Sequence, residues 1–117
     1  MNSEEKKQVP AEEQLKARYR EKLYRVSMTI PVDDDHEEEF SYHFRRPSIP
    51  AYDRYVKTVS KIGVTKASKA FMLDCVVDED RERLAGDMEE NPGIALMIGN
   101  RLTDIMGLTD TVNLKRL

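Results

Sequence analysis

Hydrophobic and polar residues alternate in two short stretches in the first half of the chain. Between residues 24 and 32 an apolar side chain occupies every second position, and the same period returns at Phe40, Tyr42 and Phe44. Alternation of this kind is typical of half-buried strands, because successive side chains of a strand point to opposite faces. Residues 33–39, a polar and mostly acidic segment, join the two stretches. The pattern therefore predicts an antiparallel β-hairpin.

From Tyr52 onward the apolar period lengthens to three or four residues, which predicts helices. The predicted boundaries are Pro50 in the first turn and Gly63 at the end of the first helix, Thr65 and Asp78 as caps of the next two, Asn91 and Pro92 at the start of the last, and Gly107 at its end. An isolated hairpin is marginally stable in water, so its apolar face needs a cover that these helices can supply. We predict an α+β fold, with an N-terminal β-hairpin packed on a compact bundle of about four helices.

An extra, strongly charged helix is predicted before the hairpin, at residues 11–23. Its apolar residues Leu15, Tyr19 and Leu23 form one narrow line, which can dock on a folded body but cannot make a core. The predicted organisation is a disordered tip followed by the charged helix (1–23), a single α+β domain (24–107) and a C-terminal tail without a periodic pattern (108–117).

The length, charge and cysteine content narrow the class of protein. A chain of 117 residues predicts one domain, and its net charge of −3 provides no general attraction for a polyanion. No apolar run approaches the roughly 20 residues that cross a bilayer, and residues 1–10 lack the apolar core of a signal peptide. The single cysteine, Cys75, lies in an apolar stretch and is expected to be a small buried hydrophobe. We therefore expect a cytoplasmic protein.

Candidate catalytic and metal-binding groups do not form a recognisable motif. If the acidic run from Asp33 were a calcium loop, its sixth position would need glycine and its twelfth glutamate, but these are Glu38 and Phe44. Cys75 has no zinc-ligand companions at the usual spacings, and no phosphate-binding glycine loop occurs. His43 lies on the polar face of the second strand and is expected at the surface. The sequence predicts a protein that is not an enzyme and that has no metal or cofactor.

Basic side chains concentrate between residues 44 and 69, where seven Lys and Arg stand against one Asp. Three of them, Arg54, Lys57 and Lys61, share a face of the predicted helix. The neighbouring tyrosines belong to its apolar side, so no free aromatic platform for bases accompanies the charge. We favour a solvated face or an acidic protein partner. A nucleic-acid-binding regulator that uses residues 45–69 stays as an alternative.

The order of short motifs resembles a known family. The second strand ends in Phe40-Ser-Tyr-His-Phe-Arg-Arg-Pro47, a helix with Asp53 and Tyr55 follows, Val76-Val-Asp-Glu-Asp80 precedes a short helix, and Asn91-Pro-Gly-Ile-Ala95 opens the last one. Over residues 24–107 this order is similar to the small tail assembly chaperones of long-tailed bacteriophages and prophages. The resemblance implies a compact hairpin-plus-helices protein in the bacterial host cell, without an active site.

The same resemblance implies the partners. A chaperone of this family binds the long, hydrophobic tape measure protein and keeps it soluble until tail tube subunits polymerise around it, so the tail tube protein is a second expected partner. We expect the docking surface to involve Phe44, Arg45, Arg46 and Tyr52 at the hairpin–helix junction, with Val112, Leu114 and Leu117 near the C-terminus, because these apolar groups flank charge and lack an obvious periodic home. A structural subunit of the phage tail or head–tail junction is the other alternative, and the sequence leaves open whether the chain forms a homo-oligomer.

Overall fold

The computed structural model describes residues 12–107 and 114–117, and within them it shows an α+β fold. The elements, in chain order, are α1 (12–18), β1 (Leu23–Pro31), β2 (Glu37–Arg45), α2 (Ile49–Ile62), α3 (Val64–Cys75), α4 (Asp78–Glu90) and α5 (Gly93–Ile105). The predicted combination of a hairpin, about four later helices and an extra N-terminal helix is confirmed. The prediction of disorder for residues 1–10 and the partner-binding role of Val112 concern positions outside the described residues.

The hairpin places most of its apolar side chains on one face. Tyr24 lies opposite Phe44, Val26 opposite Tyr42 and Met28 opposite Phe40 in the antiparallel register. The side chains from β2 are buried, whereas those from β1 are only half-buried. The helices therefore cover the hairpin unequally, and β1 is the less protected strand.

The core is a single cluster between this face of the hairpin and the helices. Its largest fully buried side chains, taken from the hairpin and from α3, α4 and α5, are Tyr42, Phe44, Phe71, Met72, Leu84, Ile94, Ile98 and Leu102. The ring of Tyr55 stacks on Phe71 with 4.9 Å between centroids, which brings α2 onto α3. Among the described helices, none combines the length and apolar character that a membrane crossing requires.

The helix ends agree with the predicted punctuation to within one or two residues. Gly63 separates α2 from α3 with a φ of +90°, and Gly107 follows α5 with a φ of +83°, as expected for glycines that end helices. Thr65 is not an N-cap, because α3 begins at Val64 and Thr65 is its second residue. Asp78 is the first residue of α4 and follows the cap Val77, and α5 begins just after Pro92. These shifts leave the predicted topology unchanged.

The N-terminal helix ends earlier than predicted, at residue 18, because Leu23 already belongs to β1. Leu15 is buried, and the Tyr19 hydroxyl donates to the carboxylate of Glu79 at 2.8 Å while accepting from the Asp78 N–H at 3.0 Å. Arg18 adds an exposed ion pair with Glu79 at 2.9 Å. The narrow apolar line does dock on the folded body, and polar contacts tie it to the first turn of α4.

Candidate functional site

The hairpin–helix junction, where the sequence predicted a docking surface, is largely an internal joint. Phe44 is fully buried and forms a β-bridge with Val76, so in this structure its side chain is not available to a partner. Arg45 is half-buried and donates to the carbonyl oxygens of Asp74 at 2.9 Å and Val76 at 3.3 Å. An apolar residue next to charges in sequence suggested exposure, but the alternation of β2 turns Phe44 to the core.

The other predicted partner-binding residues divide between surface and half-buried positions. Arg46 is exposed, and Tyr52 is half-buried with its ring edge-on to Phe71 at 6.5 Å. Leu114 and Leu117 are exposed and lie outside any regular element. Because Phe44 is buried, the six described members of the predicted set do not form one exposed surface, and Val112 lies outside the described part of the chain.

Helix α2 carries an apolar stripe that the described part of the bundle covers only in part. Only Ala51 among its 14 residues is buried. Ile49 and Val56 expose 66% and 50% of their surface, and the half-buried Tyr52 and Val59 continue the same line. We call Ile49, Tyr52, Val56 and Val59 the α2 stripe. Their spacing of three, four and three residues is the spacing with which one helix packs against another.

The basic residues of α2 lie on the opposite side of the helix from this stripe. Arg54, Lys57 and Lys61 are exposed, and Arg54 reaches Asp74 of α3 at only 3.5 Å. At 100° per residue they stand roughly half a turn from Ile49, Tyr52, Val56 and Val59. The sequence predicted this separation of faces. It did not predict that part of the apolar face would remain outside, because the pattern is the same for a buried and for an exposed stripe.

His43 lies at the centre of a polar cluster on the other face of the hairpin. Its Nδ1 is 2.9 Å from Asp80 at the start of α4, and its Nε2 is 2.8 Å from Glu12 in α1. The expectation of a surface histidine is wrong, since only 13% of the side chain is exposed. Both ring nitrogens face carboxylates, so the protonated imidazolium can donate to each of them.

The charges of this cluster support one another. The hydrogen bond with Asp80, followed by the one with Glu12, holds the pKa of His43 above its ordinary value despite its burial. Burial alone would raise the pKa of Asp80, but hydrogen bonds from His43 and the nearby Arg83 charge outweigh it and lower that pKa. Glu12 also lies 3.5 Å from Arg25 of β1. The cluster binds α1, β2 and α4 together, and no sequence signal links residues so far apart.

Two further titratable side chains in the described part of the chain are Cys75 and His36. Cys75 is buried as predicted, and burial raises the pKa of its thiol to about 12. His36 contacts Asp33 at 2.8 Å at the exposed hairpin tip. Within the described ranges, no three His, Cys, Asp or Glu side chains converge into a possible metal site. The α2 stripe is thus the feature that most resembles a functional surface.

Comparison with known proteins shows a family and a similar fold. Residues 15–115 match a family described as "Domain of unknown function (DUF6848)". A solved structure of an uncharacterised protein from Bacillus stearothermophilus is 27% identical to this chain, with a TM-score of 0.72. The alignment covers 88% of this chain and 98% of that one, so the similarity includes nearly the whole fold. No curated protein matches the sequence.

Proposed function

We propose that this chain, which belongs to the family described as Domain of unknown function (DUF6848), is a non-enzymatic tail assembly chaperone of a phage or prophage. It would bind the tape measure protein in the cytoplasm of the bacterial host cell. The observation that carries the proposal is the α2 stripe, since a helix with one buried residue in 14 retains an apolar face for a partner. The resemblance in motif order over residues 24–107 supplies the identity of that partner.

The spacing of the α2 stripe favours a helical partner. Apolar residues three and four positions apart form a seam that a second amphipathic helix covers with its own apolar residues. A tape measure protein, which is long and apolar, would expose such helices before the tail tube assembles around it. The tail tube protein then becomes a second partner, which displaces or receives the bound segment.

The small, uncharged surface of the α2 stripe suits a complex that forms and then dissociates. The α2 stripe contains no charged side chain, and its two most exposed members, Ile49 and Val56, offer modest apolar area. Interfaces of this kind are at the small end of those that hold a partner, which suits a transient complex. The exposed basic residues Arg54, Lys57 and Lys61 favour the nucleic-acid alternative, but they lie on the side of α2 opposite to the α2 stripe.

The proposal is tested by co-expressing the chain with fragments of the tape measure protein encoded by the same phage or prophage. The double variant Ile49→Ser with Val56→Ser should retain the fold, because both side chains are exposed, and should lower capture of the fragment at least about tenfold. The matched control is Met97→Ser on α5, which removes an apolar side chain that is 58% exposed elsewhere on the surface. Equal capture by the double variant and the wild type would refute the α2 stripe as the docking surface.

Two further measurements separate the alternatives. A chaperone is absent from finished particles, whereas a structural subunit of the tail or head–tail junction is present in them, so mass spectrometry of purified particles distinguishes these two. A nucleic-acid regulator should bind heparin at low salt and lose that binding steeply as the salt concentration rises. Truncation after Gly107 tests the predicted contribution of Leu114 and Leu117 to capture.

A further inference from the structure

The two outer edges of the hairpin differ in how their backbone groups are satisfied. On the β2 edge, the His43 carbonyl accepts from the Val77 N–H at 3.0 Å, and the His43 N–H donates to Asp80 at 2.8 Å. The Ser41 carbonyl on the same edge accepts from Arg83 at 2.7 Å. The start of α4 therefore closes this edge against a further strand.

The outer edge of β1 has no backbone partner among the described residues. The Val32 N–H donates to the His36 carbonyl at 2.9 Å, and the Arg46 N–H donates to the Lys22 carbonyl at 3.2 Å, so both cross-strand bonds join even-numbered residues. Because the backbone groups of an antiparallel ladder alternate in direction, those of the odd-numbered residues of β1 point away from β2. Arg25, Ser27 and Thr29 are the central ones, and no described residue is hydrogen-bonded to their N–H or carbonyl groups.

A groove of about 310 Å³ runs beside this edge, between β1 and the last turn of α5. Its apolar lining comes from Tyr24, Val26, Leu102 and Ile105. A strand added next to β1 would place alternate side chains over this lining, where the bundle leaves Val26 half-buried. The outer backbone edge of β1 and the apolar lining of the groove therefore lie side by side, so that one added strand would contact both.

The charged side chains of the groove indicate which strand fits. Arg25 and Arg101 line it, and none of the described residues that line it is acidic. Their present ion pairs, Arg25 with Glu12 and Arg101 with Asp104, are both 3.5 Å long and leave the arginines 50% and 78% exposed. Exposed ion pairs of this length contribute little to stability, so both guanidinium groups can donate to carboxylates of a partner instead.

We infer that β1 receives an extended segment of another protein, with alternating apolar and acidic side chains, as a third antiparallel or parallel strand. Its apolar residues cover the half-buried Val26 and Ile105, and its acidic residues lie beside Arg25 on the opposite face. A second copy of β1 brings Arg25 and no acid, and the C-terminal tail brings a single acid, Asp110, against Lys115 and Arg116, so neither provides a row of alternating carboxylates. The site is separate from the α2 stripe and does not depend on the proposed function.

The experiment uses the full, ¹⁵N-labelled chain and a soluble peptide of alternating valine and glutamate, as long as the 9 residues of β1. Amide hydrogen exchange is measured at Arg25, Ser27 and Thr29, whose N–H groups point outward, and at Val26 and Met28, which already bond to β2. The peptide should slow exchange at the first three at least about tenfold and leave the other two unchanged. A peptide with lysine in place of glutamate is the control and should have no effect.

A pair of substitutions tests the backbone edge itself. Ser27→Pro removes the outward N–H and should abolish the protection, whereas Ser27→Ala should retain it. Retained protection at Val26 and Met28 shows that the proline variant folds. If it does not fold, Arg25→Gln combined with Arg101→Gln provides the second test, and it should weaken peptide binding at least about tenfold.

Three results would overturn the inference. Unchanged exchange at Arg25, Ser27 and Thr29 with the glutamate peptide would show that no strand adds. Protection without peptide that increases with protein concentration would identify a second copy as the occupant. Protection without peptide that disappears after truncation at Gly107 would identify the chain's own tail.

Discussion

The carboxylate of Asp80 accepts two hydrogen bonds from one residue, His43, through the backbone N–H at 2.8 Å and the ring Nδ1 at 2.9 Å. The first bond closes the outer edge of β2, and the second holds an imidazole against Glu12 of α1. One side chain at the start of α4 therefore fastens the hairpin to the bundle and supports the docking of the N-terminal helix.

We expect the contribution of His43 to stability to depend on pH. Its pKa is raised above the ordinary 6.5, so the stabilisation is fully present below pH 6.5 and is lost as the pH rises through the raised value. The pKa of Asp80 is lowered from 3.8, so its stabilisation is present above pH 3.8 and is lost as the pH falls through the lowered value. Glu12, Asp80, Arg25 and Arg83 are the charged groups around this histidine.

The measurement is the free energy of unfolding of the wild type and of His43→Gln between about pH 5 and pH 9. The difference between the two should be largest at the acidic end and should shrink towards pH 9. His36→Gln is the matched control, because this histidine lies at the exposed hairpin tip. A difference that grows with pH would contradict the assigned role of the imidazolium.

Asp80→Ala should be among the most destabilising substitutions of a charged residue in α4. It removes the acceptor for the His43 N–H, the His43 ring and Arg83, and it leaves the largely buried histidine without one carboxylate. We expect a loss of about 3 kcal/mol in urea denaturation. Asp78→Ala, two positions earlier and exposed, should cost well under about 1 kcal/mol. Similar losses for both variants would show that the cluster contributes no special stability.

Tyr19→Phe should weaken the docking of α1. The hydroxyl bonds both the Asp78 N–H and the Glu79 carboxylate, so its removal should cost about 1 kcal/mol. Limited proteolysis should then cut within residues 12–18 faster than in the wild type. The control is Tyr55→Phe, whose ring stacks on Phe71 and whose hydroxyl bonds to no described residue. Identical cleavage of wild type and Tyr19→Phe would contradict this role.

Gly63→Ala and Gly86→Ala should change stability in opposite directions. Neither new methyl group would meet an atom within 4 Å, so the difference comes from the backbone. Gly63 has a φ of +90° and a ψ of 161°, a region that L-residues rarely adopt, and alanine there should cost about 1–3 kcal/mol. Gly86 lies inside α4, where alanine should stabilise by roughly 0.5–1 kcal/mol. Thermal denaturation of both variants checks the signs, and stabilisation by Gly63→Ala would contradict the tight α2–α3 turn.

Local features were readable from the chain because they depend on neighbouring residues. The alternation at Phe40, Tyr42 and Phe44 indicated which face of β2 would be buried, and Gly63 and Gly107 indicated where helices end. The helix predicted at residues 11–23 was too long. Its apolar spacing includes Leu23, but in the structure Leu23 is the first residue of β1. The apolar period identifies the buried face of a helix or strand, but it does not locate the residue at which one element ends and the next begins.

By itself, the sequence determined the order of strand and helices, the apolar face of each and the separation of basic from apolar residues on α2, since these follow from backbone geometry over a few residues. Only the tertiary structure decided that His43 contacts Asp80 and Glu12, that Phe44 is buried, and that no described residue fully covers the α2 stripe or bonds to the outer edge of β1. His43 is 31 positions from Glu12 and 37 positions from Asp80, so both contacts depend on how the elements assemble. An apolar stripe has the same spacing whether or not another helix comes to cover it.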